Sequence, residues 1–86
     1  MITITELPAT ITIPDDQDHE ISFEIRPASS FKAFFTIISG TPKISVNQDS
    51  LTTGSVYAAD DKEIITINDG MPVHVSGENT VIRISA

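Results

Sequence analysis

Four carboxylates that lie close together are the first candidates for chemistry in this 86-residue chain. Asp15, Asp16, Asp18 and Glu20 resemble a loose Asp-x-Asp-x-Glu cluster of oxygen ligands. Calcium takes about six to eight oxygen ligands from loops of this kind, but the Gly and the closing Glu of an EF-hand are missing here. We therefore predict a solvated polar loop and no metal, and a calcium site formed by these four residues is the alternative.

Only two histidines, His19 and His74, are available as bases. A catalytic nucleophile needs a base, usually histidine, and a third group that orients this base. The chain has no cysteine, and none of its serines stands in a Gly-x-Ser-x-Gly elbow. We therefore predict no catalytic residue, no cofactor and no enzymatic activity, and we interpret His74 as a surface or interface histidine.

Tyr57 is the single tyrosine, and the chain has no tryptophan. Sugars commonly stack on exposed aromatic rings, and one tyrosine offers a small platform for such a contact. We interpret Tyr57 as an interface residue, with a glycan or protein ligand near it as the alternative.

The apolar composition predicts that these residues are carried by β-strands. The chain has fourteen Ile, five Val and ten Thr but only two Leu, whereas helical domains are rich in Leu, Ala, Glu and Lys. Turn sequences recur about every eight to twelve residues. One of the strands predicted between them covers residues 55–59, where Val56 and Ala58 alternate with Ser55 and Tyr57. We predict one all-β domain over residues 1–86, a small antiparallel β-sandwich or jelly-roll-like fold of seven or eight short strands.

Residues 31–39 contain three of the four phenylalanines, and we predict that they form the central strand, apolar and covered on both faces. A short buried helix is disfavoured because Thr36, Ile37 and Ile38 are β-branched. Residues 1–13 contain two alternating Ile-Thr runs that Pro8 separates. They are either an edge strand of the domain or an arm that pairs with a neighbour, so Ile2 and Ile4 are interface candidates.

Residues 63–67 and 71–75 flank Asn-Asp-Gly and predict a β-hairpin with a three-residue loop, in which Gly70 adopts the left-handed conformation. This register collects the core residues on one face. The other face mixes polar and apolar side chains, as protein interfaces do. Its interface candidates are Ile64, Thr66, Pro72 and His74.

The net charge of −7 argues against a nucleic-acid partner, because phosphate binding needs clusters of Lys and Arg. The charge is uneven, since six acids and no base precede Arg26. No apolar run approaches the roughly 20 residues of a membrane span. Neither a basic nor an apolar region of a signal peptide is visible after Met1, so we expect synthesis in a cytoplasm.

The size, the lack of cysteine, the Ile/Thr-rich strands, the N-terminal Met1-Ile2-Thr3-Ile4-Thr5 segment and the C-terminal strand ending at Ala86 form one pattern. In these features the chain resembles the small β-sandwich accessory proteins of tailed-phage virions, above all head decoration (cement) proteins. The resemblance implies a non-enzymatic virion protein of a bacteriophage, often a homotrimer, that clamps neighbouring capsid subunits. The alternatives are a β-sandwich binding or adhesion module for glycan or protein, and a calcium-stabilised module.

Overall fold

Two β-sheets pack face to face in a computed structural model that describes residues 1–25, 30–68 and 71–86. Over these residues the chain forms nine strands and one helical turn. In chain order they are β1 (Ile2–Ile4), β2 (Ala9–Ile13), β3 (His19–Phe23), β4 (Ser30–Ser39), β5 (Lys43–Val46), α1 (Ser50–Thr53), β6 (Ser55–Val56), β7 (Lys62–Asn68), β8 (Val73–Ser76) and β9 (Thr80–Ser85). The predicted all-β sandwich is confirmed, although it has more strands than the seven or eight expected.

The first sheet has the strand order β1-β3-β8-β5-β6, and the second has the order β2-β9-β4-β7. The pairing of β1 with β3 is parallel, and all the other pairings are antiparallel. Of the seven pairings in these orders, only β5–β6 joins consecutive strands. The fold is therefore held together by contacts between distant parts of the chain.

The core lies between the sheets and is built by strict alternation along the strands. In β2 and β9 the isoleucines point inward and are buried, while Thr10, Thr12 and Arg83 point outward. Full burial of one such side chain contributes about 1.5–3 kcal/mol. The buried apolar residues are Ile4, Ile11, Ile13, Ile21, Ala33, Phe35, Ile37, Ile44, Ile67, Val73, Val75, Ile82 and Ile84.

The N-terminal segment supplies one edge strand to each sheet. In the first sheet β1 pairs with β3, with Ile2 opposite Ile21, and in the second sheet β2 pairs with β9, with Ile11 opposite Ile82. Ile4 is buried and Ile2 is half-buried, so both side chains are part of the core region. Residues 1–13 therefore pair within their own chain in this structure.

The strand over residues 31–39 is central in its sheet but is covered on only one face. β4 lies between β9 and β7, and its inward residues Ala33, Phe35 and Ile37 are buried. On the other face Phe34 is 39% exposed and Ile38 is 50% exposed. The prediction of coverage on both faces was wrong, because a sandwich has two layers and no described residue packs over this side of the second sheet.

The hairpin predicted over residues 63–75 was also wrong. β7 pairs with β4 in the second sheet, whereas β8 pairs with β3 and β5 in the first. The alternation predicted correctly that Ile67, Val73 and Val75 face the core. The alternation could not distinguish a hairpin within one sheet from a connection that runs from one sheet to the other, since the inner faces of both sheets meet the same core. The predicted conformation of Gly70 lies outside the described residues.

A helical turn and a shortened strand replace the strand expected near residues 55–59. Asp49 caps α1 by accepting a hydrogen bond from the Leu51 backbone N–H at 2.7 Å. β6 then contains only Ser55 and Val56, and Val56 is exposed where the alternation placed it inward. α1 packs against β5 and β8, so part of the first sheet's outer side is covered.

Candidate functional site

A half-buried carboxylate joins three separate segments at one end of the first sheet. Asp18 Oδ1 accepts hydrogen bonds from the Ser50 backbone N–H at 2.9 Å and from the Ser50 hydroxyl. Asp18 Oδ2 lies 2.6 Å from Nδ1 of His74. The loop before β3, the first residue of α1 and the middle of β8 are thus tied to one side chain.

The order of these three groups differs from that of a nucleophilic triad. In a triad the histidine stands between the serine and the acid and accepts the hydroxyl proton. Here Asp18 stands in the middle, and the Ser50 hydroxyl donates directly to the carboxylate. Ser50 is also fully buried. The geometry therefore holds segments together and does not prepare Ser50 for attack on a substrate.

The environment of Asp18 favours its charged form. Burial is the largest single influence and raises the pKa of Asp18, but hydrogen bonds from Ser50 and His74 together outweigh it. The pKa of Asp18 therefore lies below its ordinary value. The cluster is strongest where Asp18 is ionised, and protonation of this carboxylate weakens it.

The four candidate metal ligands point to different partners. Asp15 Oδ1 lies 2.8 Å from Nε2 of His19, and Asp16 Oδ1 accepts the Glu78 backbone N–H at 3.2 Å. Asp18 is held by Ser50 and His74, and Glu20 is exposed on β3 opposite His74. Within residues 1–25, 30–68 and 71–86, no three acidic or histidine side chains are arranged to hold a metal ion. The four carboxylates therefore do not converge on one point in this structure.

Tyr57 is half-buried rather than displayed as a flat platform. Its hydroxyl donates to Glu63 Oε2 at 3.2 Å, and its ring packs against the core. Burial, followed by the charge of Glu63, raises the pKa of Tyr57. An open groove of about 360 Å³ lies beside it, between β5 and β7. Only part of the Tyr57 side chain is therefore open to a partner.

The predicted interface residues are divided between the two outer sides of the sandwich. Ile64 and Thr66 lie on the outer face of the second sheet, opposite Phe34 and Lys32 of β4. His74 lies on the first sheet, and Pro72 directly precedes the same strand. The predicted continuous face was wrong because β7 and β8 belong to different sheets.

Exposed apolar side chains lie on the outer face of the second sheet. Phe34 pairs directly with Ile64, which is 57% exposed, and the exposed Ile38 follows on the same side of β4. Three basic residues that are far apart in sequence, Lys32, Lys62 and Arg83, occupy the same face. Alternation alone could have placed each of them outward, but only the strand pairing brings them together.

No family model matches the chain, and no curated protein or solved structure matches it significantly. In the described part of the chain, no helix has the length and apolar character needed to cross a membrane. The function must therefore be argued from the surfaces themselves.

Proposed function

We propose that this chain is a non-enzymatic structural protein of a virus particle, a decoration or cement protein that binds neighbouring capsid subunits and stabilises the assembly. It would be made in the host cytoplasm and act in the virion. The observation that supports this proposal is the exposed apolar group on the second sheet, formed by Phe34, Ile38 and Ile64. Grouped apolar side chains on a soluble surface mark sites of protein contact.

The strand pairing makes this group suitable for docking. Phe34 and Ile64 are cross-strand neighbours on a four-stranded sheet, so their positions are set before a partner arrives. A preorganised surface loses little conformational freedom on binding, and central aromatic side chains often carry most of the binding energy. These features favour a stable contact with a large protein surface.

The proposal is tested on virus particles purified from the producing host. Quantitative mass spectrometry should find this chain at a fixed ratio to the major capsid protein. Particles that carry Phe34→Ser and Ile64→Ser should open at a lower temperature than wild-type particles. Val56→Ser is the matched control, because Val56 is equally apolar and exposed but lies on the other sheet. Absence of the chain from purified particles would overturn the proposal.

The alternative is a binding module for a glycan or a protein that uses the groove beside Tyr57. The hydroxyl groups of Thr53, Ser55 and Tyr57 line this groove together with Glu63, which suits a polar ligand. A glycan array separates the two proposals. Binding of wild-type protein that is lost in Tyr57→Ala and kept in Phe34→Ser would favour the binding module.

A further inference from the structure

We propose that the outer face of the second sheet binds the acidic segment, residues 15–24, of another copy of this chain. The inference rests on the proposed function and deepens it: contact between copies through this face would join the copies that together bind neighbouring capsid subunits. It is argued from the distribution of charge over the described residues and from the register of the strands.

The outer face of the second sheet is basic in a molecule whose net charge is −7. Arg83 and Lys62 both lie opposite Thr36, so they flank β4 on its two sides, and Lys32 lies further along β4 opposite Thr66. All three side chains are exposed. Within the described residues none of them is in an ion pair. Three of the five bases of the chain thus surround the apolar group.

The four strands of this sheet contain one acid, and it points to the other side. Glu63 lies opposite the buried Phe35 and accepts the hydrogen bond from Tyr57. Asp60 and Asp61 lie in the turn at the end of the face, where the Asp61 carboxylate accepts the Ala58 backbone N–H. Among the described residues, the strand surface of this face therefore carries three bases and no acid.

The complementary surface lies on the same molecule, in residues 15–24, which hold acids and no Lys or Arg. Glu20 is exposed on the outer face of β3. Glu24 is also exposed, and its backbone N–H donates to the Ile4 carbonyl at 2.8 Å, so the pairing of β1 with β3 continues to this residue. Asp15 and Asp16 are exposed in the preceding loop. Lys43, on β5, is the one Lys or Arg on the described strands of that sheet.

Opposite charge favours contact between these two different surfaces over contact of either surface with itself. Two basic faces would repel each other, which argues against a two-fold pairing through the second sheet. The overall negative charge opposes association only weakly at physiological salt, where the screening length is about 8 Å. A contact between unlike surfaces is heterologous, and it closes into a ring when the rotation between copies allows it.

The proposal is tested by the mass of the isolated full-length chain in solution. Sedimentation at roughly 0.5 mM in low salt should give a mass above that of the monomer, and the mass should fall as salt is added, since surface ion pairs are screened. Lys62→Glu with Arg83→Glu should weaken self-association by at least about tenfold, because attraction becomes repulsion. Phe34→Ser should weaken it by a similar factor.

Two controls separate this contact from a general effect of charge. Arg83→Glu and Lys43→Glu change the net charge equally, but Lys43 lies beside the acidic segment, so only Arg83→Glu should weaken association. Glu20→Lys with Glu24→Lys should also give monomers. An equimolar mixture of this variant with Lys62→Glu/Arg83→Glu should associate again, because each then offers the surface that the other needs.

A wild-type chain that stays monomeric at 0.5 mM in low salt would overturn the inference. Binding of a single-stranded oligonucleotide by that monomer, lost in Lys62→Glu/Arg83→Glu, would assign the face to nucleic acid instead. Either result would leave the particle experiment to decide the proposed function, since that experiment does not depend on self-association. An equal effect of Arg83→Glu and Lys43→Glu would also contradict the inference.

Discussion

Phe34 and Phe35 are neighbours in sequence but have opposite surroundings. Phe35 is buried and makes an edge-to-face contact with Phe23, with their ring centroids 6.4 Å apart. Phe34 points out of the second sheet beside Ile64. The alternation of a strand explains the difference, because successive side chains lie on opposite faces.

This difference predicts unequal effects of two matched substitutions. Phe35→Ala should lower the free energy of unfolding by about 3–5 kcal/mol, because it leaves a cavity in the core. Phe34→Ala should lower it by about 1 kcal/mol or less, since the ring is already in contact with solvent. Urea denaturation of both variants measures these values. Equal losses would mean that both faces of β4 are covered.

The Asp18 cluster predicts that the protein loses stability in acid. The folded-state pKa of Asp18 lies below the unfolded value, so this carboxylate stabilises the fold at pH values above about 4. The contribution is lost as the pH falls through the lower, folded pKa. Removing a hydrogen-bonded charged partner costs about 1–3 kcal/mol, so Asp18→Asn should be destabilised by that amount at pH 7.

The same comparison at low pH identifies the source of the effect. The difference between wild type and Asp18→Asn should shrink as the pH falls through the folded-state pKa of Asp18, because this carboxyl group then becomes protonated in the folded as well as in the unfolded chain. Asp16→Asn is the control, since Asp16 is exposed and holds only the Glu78 backbone N–H. A difference for Asp18→Asn that does not depend on pH would show that its charge is not what matters.

At the scale of elements, the N-terminal segment contributes to both sheets at once. β1 and β2 are edge strands on the same side of the sandwich, and they carry Ile4, Ile11 and Ile13 into the core. The sequence predicted both runs as strands from their alternation. It left open where they pair, because proline at position 8 permits an edge strand as well as an arm.

Deletion of residues 1–13 should therefore abolish folding. If these residues were an arm that pairs with a neighbour, the deletion would instead leave a folded monomer. The deletion removes three buried isoleucines and exposes the next strand of each sheet. The free energy lost is comparable to the whole stability of a small domain, roughly 5–15 kcal/mol. Circular dichroism and amide NMR spectra measure the loss of structure. Thr3→Ala and Thr10→Ala, which change outward residues of the same strands, should leave the fold intact. A folded, soluble deletion variant would support the arm.

The whole molecule is assembled from strands that are distant in sequence. Each inner strand of the two sheets pairs with at least one partner that is not its neighbour in the chain. Domains of this kind must close long loops before strand pairing stabilises them, so they fold slowly.

We expect the chain to fold in about milliseconds to seconds in a single cooperative transition. Stopped-flow circular dichroism after dilution from urea measures the rate, and the fluorescence of Tyr57 gives a second probe in the core region. Both probes should report the same rate constant. Folding in microseconds would indicate that local contacts dominate, against the strand order seen here.

The sequence by itself determined the fold class and the direction of most side chains. The Ile, Val and Thr content favours strands, and the period of two assigned Ile67, Val73 and Val75 to the core without knowledge of their partners. These properties are local, because a residue and its two neighbours decide which face of a strand it occupies.

Only the tertiary structure decided which strands pair and which surfaces form. The backbone hydrogen bonds of a sheet are the same for every pair of strands, so they do not specify a partner. For that reason the sequence alone could not predict that β7 and β8 lie in different sheets or that Lys32 and Arg83 share one face. Nor could it predict that Asp18 contacts His74, which lies 56 positions away in the chain. The core that eight of these nine strands share, all but β6, selects one arrangement, because it must bury the inner faces of both sheets together.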